Sequence, residues 1–178
     1  MVNCIKLDED FPFALVERST DKPHVGEIIH DMLIDLGVYK RSSGADPYQF
    51  EKGFMWERML SLALPGCAVR PGEIELDGIV MSPDGIGYDE SIRESVVEEY
   101  KCTAKRADNC DPSDNIGWMM QTKAYCKGMG LTSVVFRILS IGRPWEPIPL
   151  TYLITFTQDE LDQNWNAIVA YAKHRGLV

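Results

Sequence analysis

No run of apolar residues in this chain approaches the roughly 20 needed to span a bilayer, so a membrane-crossing helix is not expected. Met1 to Asp10 is acidic and lacks the basic-then-apolar pattern of a secretory signal. These two absences predict a cytoplasmic protein with no membrane partner. Cysteine is present but unorganised. Cys4, Cys67, Cys102, Cys110 and Cys126 are odd in number and contain no C-x-x-C pair, which argues against a disulfide framework and against a zinc ribbon. His24, His30 and His174 show no metal-ligand spacing. Internal repeats, low-complexity tracts and long linkers are also missing. With 178 residues, 45% of them hydrophobic, the chain suits one domain with a proper core.

Basic residues are scarce as well. The formal net charge of −9 argues against tight, salt-resistant binding of nucleic acid by a lone monomer. The shortage is uneven. Between Lys101 and Arg143 stand seven basic and three acidic residues, a local balance of +4 that leaves −13 for the remainder.

Periodicity and caps give the order of elements. Val25 to Leu36 carries Ile28, Ile29, Met32, Leu33 and Leu36 at helical spacing, and Gly37 ends it. Asp46-Pro47 opens a second helix with Phe50, Phe54, Glu57, Ser61 and Leu64 on one face. Ile74 to Met81 and Ser95 to Cys102 read as strands, with a turn at Ser82-Pro83-Asp84-Gly85 after the first. Pro112-Ser113-Asp114 predicts a helix start and Gly128 its end. Val134 to Ile141 and Thr151 to Phe156 are β-rich. Thr157 with Glu160 forms a capping box for a last helix. The order α-α-β-β-α-β-β-α predicts an α/β fold, a central mixed sheet flanked by helices.

Four strings carry chemistry. In Glu99-Tyr100-Lys101 strand alternation puts the carboxylate and the ammonium on one face and Glu98 on the other. A carboxylate is a hard oxygen ligand for Mg²⁺ or Mn²⁺, and a neighbouring lysine can position a water or offset charge on a phosphate. Taken alone the pair also fits a solvated strand surface. Asp84 supplies a second carboxylate fifteen residues earlier, although Pro83-Asp84-Gly85 is equally good turn chemistry. Gln121 and Tyr125 share a helix face and can hydrogen-bond a phosphodiester or a base, or simply form an amphipathic helix. Glu57 puts a carboxylate on an otherwise apolar helix face, which is costly unless it is paired, metal-bound or at the stripe's edge.

Pro83-Asp84…Glu99-Tyr100-Lys101 resembles the PD-(D/E)XK nuclease superfamily, whose core is restriction-endonuclease-like. Gln121-Thr122-Lys123-Ala124-Tyr125 looks like the Q-x-x-x-Y motif of its RecB-type, lambda-exonuclease-like branch. Gly53-x-x-x-Glu57 looks like the G-x-x-x-E motif that precedes that core. Ser82-Pro83-Asp84-Gly85 followed by Glu99-x-Lys101-Cys102 is similar to the phage-type exonucleases in particular. The motifs come in the family's order over residues 53–125, within a core of about 46–156 in a single domain of 1–178.

The resemblance implies a metal-dependent deoxyribonuclease, an exonuclease before an endonuclease, acting in phage-type recombination, repair or genome processing. A nicking or structure-specific endonuclease and a non-catalytic nucleic-acid-binding module are the alternatives. Asp84, Glu99 and the Tyr100 main-chain carbonyl would ligate Mg²⁺ or Mn²⁺, with Glu57 binding directly or through water. Lys101 would orient or activate the attacking water. Asp77, also in a strand before Glu99, is the alternative to Asp84. Gln121 and Tyr125 would hold nucleic acid, and Lys105, Arg106 and Lys123 are candidates for phosphate contacts. Some RecB-type relatives carry an iron–sulfur cluster, but no cysteine follows Cys126, so none is expected. A homo-oligomeric ring would gather each subunit's basic segment around one channel, and a single-strand-annealing protein is a partner common among relatives.

Overall fold

Hydrophobic spacing and well-placed caps set the helices. A computed structural model describes residues 21–41, the helical positions Gly53, Met55, Trp56, Met59 and Leu60, and residues 71–142 and 147–178. Helix α1 spans Val25–Asp35 and buries Val25, Ile28, Ile29, Met32 and Leu33. Helix α2 spans Ile116–Met129 and helix α3 spans Gln158–His174. At the start of α3 the expected capping box is formed. The Thr157 hydroxyl accepts the Glu160 N–H at 3.2 Å while the Glu160 carboxylate accepts the Thr157 N–H at 2.9 Å. The rest of the helix expected from Asp46-Pro47, Glu57 included, lies outside the described residues.

Strands β1 (Ile74–Leu76), β2 (Ile79–Met81), β3 (Gly85–Asp89), β4 (Glu94–Thr103), β5 (Ser133–Ser140) and β6 (Ile148–Thr155) complete the described elements. The single strand expected over 74–81 is instead a hairpin. Asp77 (φ 52°) and Gly78 (φ 79°) both take left-handed backbone, as the central pair of a two-residue hairpin turn requires. β3 was not expected, because its glycines at 85 and 87 break the apolar alternation that marks a strand.

Helix α2 starts later than its proline suggests. Asp111 accepts the Ser113 N–H and caps only a short 3₁₀ turn, Pro112–Asp114. Asn115 then caps α2 by accepting the Trp118 N–H at 3.2 Å. The helix runs through Gly128 to Gly130, whose φ of 66° supplies the left-handed cap. A Cβ at Gly128 would sit 2.5 Å from Met81 Cε, the flexible tip of that side chain.

The main sheet has the order β3-β4-β5-β6. β4 and β5 are parallel and their neighbours antiparallel, so the sheet is mixed as expected. α2 is the crossover joining the parallel pair. It covers the face bearing Val97, Val134, Phe136 and Ile138, and with α1 and α3 it encloses the main core. On the opposite face Trp56 and Leu60 pack with Tyr100, and Trp56 Nε1 donates to the Arg137 carbonyl at 3.2 Å.

Candidate active site

The alternation of β4 places Glu99 and Lys101 on the face beneath α2, opposite Phe136 and Ile138 of β5. Glu98 faces the other way. It is buried and takes a two-pronged hydrogen bond from Arg137, at 2.8 and 3.0 Å. Burial raises the Glu98 carboxyl above its ordinary range, against the opposing pull of Arg137. The two adjacent glutamates are thus separated by the pleat: Glu98 pairs with Arg137 on one face, and Glu99 lies on the face beneath α2.

Glu99 lies buried with its carboxylate in direct contact with the Lys101 ammonium. Lys101 Nζ also reaches Gln121 Oε1 at a long 3.4 Å. An ammonium can only donate, so the glutamine must present its carbonyl oxygen to it. That orientation leaves the Gln121 amide nitrogen to donate to Tyr125 Oη at 2.7 Å. One chain of contacts therefore runs Glu99, Lys101, Gln121, Tyr125, joining strings twenty residues apart. Tyr125 is 2% exposed, and its hydroxyl, as acceptor from the Gln121 amide, steadies the glutamine.

Asp84 reaches the same place by a different route. Pairing between β3 and β4 ends at Gly85 with Glu98. One step further along that register brings Asp84 alongside Glu99, and the next would set Pro83 opposite Tyr100. Proline stops the ladder, and the Asp84 carboxylate takes the Tyr100 N–H instead, at 2.7 Å. A strand residue turns its N–H and C=O to the same flank, so the Tyr100 carbonyl also points to the Asp84 side.

Asp77 does not join this group. It sits at the β1–β2 turn with its carboxylate accepting the Trp165 Nε1–H at 2.8 Å, tying the hairpin to α3. Lys123 is also elsewhere: it faces Glu160 at 3.7 Å and lies over the Phe156 ring, at the α2–α3 seam rather than the site. Its position two residues from Gln121 turns it away. Lys105 and Arg106 are exposed just beyond β4. Lys105 Nζ lies 5.9 Å from the Trp118 ring centre, one helical turn before Gln121. Arg106 pairs with Asp108 at 3.2 Å.

Two neighbours of the site were not legible in the sequence. His24, which shows no metal-ligand spacing in the sequence, shares a 3.0 Å hydrogen bond with Ser82 beside Pro83-Asp84. Gly26, in the first turn of α1, is close enough that a Cβ there would sit 3.8 Å from Gln121 Nε2. Beneath the site Cys126 is fully buried, and burial with the Glu99 charge pushes its thiol up to about 12. The donors gathered here are carboxylate and carbonyl oxygens, the set that suits Mg²⁺ or Mn²⁺ rather than a thiophilic metal. Among the described residues no group of three or more His, Cys, Asp or Glu side chains is placed to hold a metal ion.

No protein-family model matches the chain, and no curated protein matches its sequence. Solved structures do match its fold. One is an alkaline exonuclease, LHK-Exo, from Laribacter hongkongensis, with a TM-score of 0.58 and 12% identity over 86% of this chain and 87% of that one. Another is a phage-related exonuclease from Haemophilus somnus, with a TM-score of 0.53 and 13% identity over 83% and 78%. These likenesses define the class of fold: the chain shares the α/β architecture of these two exonucleases, the fold that the motif resemblance implied. No helix among the described residues is long and apolar enough to cross a membrane.

Proposed function

We propose that this chain is a metal-dependent deoxyribonuclease that hydrolyses phosphodiester bonds, with exonuclease action favoured. The observation that carries the reading is the convergence of Asp84, Glu99, Lys101 and Gln121 at one end of the sheet from three separate elements. Lone motifs of this kind are weak signals, and their joining by direct contacts is what chance resemblance does not supply. The shared fold with two named exonucleases supports the same reading.

Asp84, Glu99 and the Tyr100 carbonyl would hold Mg²⁺ or Mn²⁺, with Glu57 as a further candidate ligand. The metal would supply Lewis acidity toward the phosphoryl oxygens. Lys101, held by Glu99 and Gln121, presents a positive charge where a water must approach the phosphate and where charge then builds. Gln121 fixes the lysine's direction, and Tyr125 fixes the glutamine's. The Glu99 contact keeps Lys101 oriented. In this reading the ammonium stabilises charge and positions the water; it does not remove the water's proton. Lys105 and Arg106 lie outside on the approach to this end of the sheet and are suited to phosphates flanking the scissile one.

The net charge of −9 makes an oligomer the natural way to concentrate the basic segment on DNA. A strictly monomeric mass by light scattering would rule that out. Activity is tested on 5′- and 3′-labelled linear duplex and single-stranded DNA, and on covalently closed circles, with Mn²⁺, Mg²⁺ or EDTA. The proposal expects metal-dependent shortening of linear DNA and intact circles. Nicked circles would establish an endonuclease. DNA binding with no product on any substrate would establish a non-catalytic module.

A further inference from the structure

The Lys105–Arg106 turn is exposed in its side chains but fastened through its main chain. The Lys105 carbonyl accepts the Ser140 hydroxyl at 2.7 Å and receives the Cys110 thiol at a weaker 3.7 Å. The Arg106 carbonyl accepts the same thiol at 3.0 Å and the Asn109 N–H at 2.9 Å. Ser140 and Cys110 are each 1% exposed, so both donors sit in the interior while the carbonyls they hold belong to exposed residues. Gly142 closes the arrangement. A Cβ at that position would meet Arg106 Cα at 2.8 Å and the Lys105 carbonyl oxygen at 2.9 Å, both unyielding backbone. Gly142 keeps an ordinary backbone conformation, so glycine is required there for close approach. The end of β5 and the 3₁₀ turn at Ala107–Asn109 thus clamp the base of the turn from two sides.

Such fastening is out of proportion for a surface loop with two solvated cations. A loop that contacts phosphate must otherwise lose backbone and side-chain freedom on binding, at a cost of about 0.5–1.5 kcal/mol for each immobilised side chain. Fixing the main chain beforehand removes part of that cost. The Lys105 ammonium is also directed toward Trp118, which sits one helical turn before Gln121.

We propose that Ser140, Gly142 and Cys110 are positioning residues for nucleic-acid binding: they hold the Lys105–Arg106 turn ready to contact the DNA backbone next to the reacting phosphate. The proposal rests on the DNA-processing reading above. It extends that reading to buried residues that make no contact with DNA.

The test is a double-mutant cycle. Affinity for a fluorescent duplex is measured by anisotropy in EDTA across about 50 to 200 mM salt, a range in which phosphate contacts show as the slope of log affinity against log salt. The proteins are the wild type, Ser140→Ala, Gly142→Ala, the Lys105→Ala/Arg106→Ala pair, and the combinations. Ser140→Ala and Gly142→Ala are expected to weaken binding about threefold to tenfold and to reduce the salt slope by about 1. In the background lacking both cations neither should have any further effect. For Ser140→Ala the loss should appear in KM rather than kcat. Equal losses with and without the cations, or no loss from Ser140→Ala, would overturn the proposal. Should Gly142→Ala fail to fold by circular dichroism, the Ser140→Ala cycle decides alone. A wild type that binds DNA without cutting it would refute the nuclease reading and leave this cycle decisive, whereas a wild type that does not bind DNA would overturn both.

Discussion

Removing Lys101 should cost stability as well as activity, and the size of the loss can be worked from the burial of its partner. Glu99 retains 2% of its side-chain exposure and Lys101 retains 20%. Truncating one member of a buried ion pair costs about 3–5 kcal/mol, because the other charge stays in the interior without its counter-ion. Solvent reaches part of Lys101 and screens the pair, so Lys101→Ala is expected to cost about 2–4 kcal/mol, or about 5–12 °C in Tm for a domain of this size. Glu99→Gln should cost less, since Lys101 keeps Gln121 and some water. The double variant Glu99→Gln/Lys101→Met should recover much of the loss. Urea denaturation of the four proteins at pH 7, without metal, gives the coupling energy, expected at about 2 kcal/mol. Single variants within about 0.5 kcal/mol of the wild type that add without coupling would show that the pair is solvated, and the reasoning about the site's low polarity would fail.

Four further outcomes are expected. Mn²⁺ should raise the Tm of the wild type by binding the folded state, and should not raise that of Glu99→Gln or Asp84→Asn; equal shifts would place the metal elsewhere. Asp108→Asn should release Arg106 and tighten DNA binding about twofold to threefold, the worth of an exposed ion pair; unchanged or weaker binding in anisotropy would show that Arg106 makes no phosphate contact. Thr157→Ala should destabilise the fold by about 1 kcal/mol through the lost α3 cap, read from the urea midpoint. Hydrogen bonds from Thr157 hold the Glu160 carboxyl below its ordinary 4.5, so its stabilising effect is full above that value and is lost as pH falls through the lowered one. The Tm difference between wild type and Glu160→Gln should therefore close on acidification, and a difference that widens toward low pH would contradict the cap.

Much of the site could be read from the sequence because a strand's two-residue period and a helix's four-residue period are local rules. The Glu99–Lys101 face, the turn of Glu98 to the opposite face and the shared face of Gln121 and Tyr125 all follow from them. The Pro83-Asp84 dipeptide and its shorter spacing to Glu99 favour Asp84 locally, but Asp77, inside a run that reads as one strand, stays open as the alternative. What separates them is the register of β3 on β4 and the indole of Trp165, which lies 88 residues from Asp77. The seam position of Lys123 likewise depends on how α3 packs on α2, and the burial of Tyr125 on the core that closes around α2. β3 was missed because its glycines carry no apolar signal; pairing with β4 makes it a strand. The hairpin at Asp77-Gly78 was legible in principle, for Asp-Gly is a strong hairpin signal, but the apolar run across it read as continuous. His24 meets Ser82, and Ser140 meets Lys105, only through the tertiary fold.

The measurement that bears most directly on the central claim is cleavage of end-labelled linear duplex in Mn²⁺ by the wild type, Lys101→Ala, Asp84→Asn and Asp77→Asn, each first shown to be folded. The account predicts metal-dependent products from the wild type and from Asp77→Asn. It predicts a loss of about a hundredfold or more in rate for Lys101→Ala and Asp84→Asn, the scale of removing a group that stabilises transition-state charge. Full activity in Asp84→Asn, with loss in Asp77→Asn, would contradict the site described here.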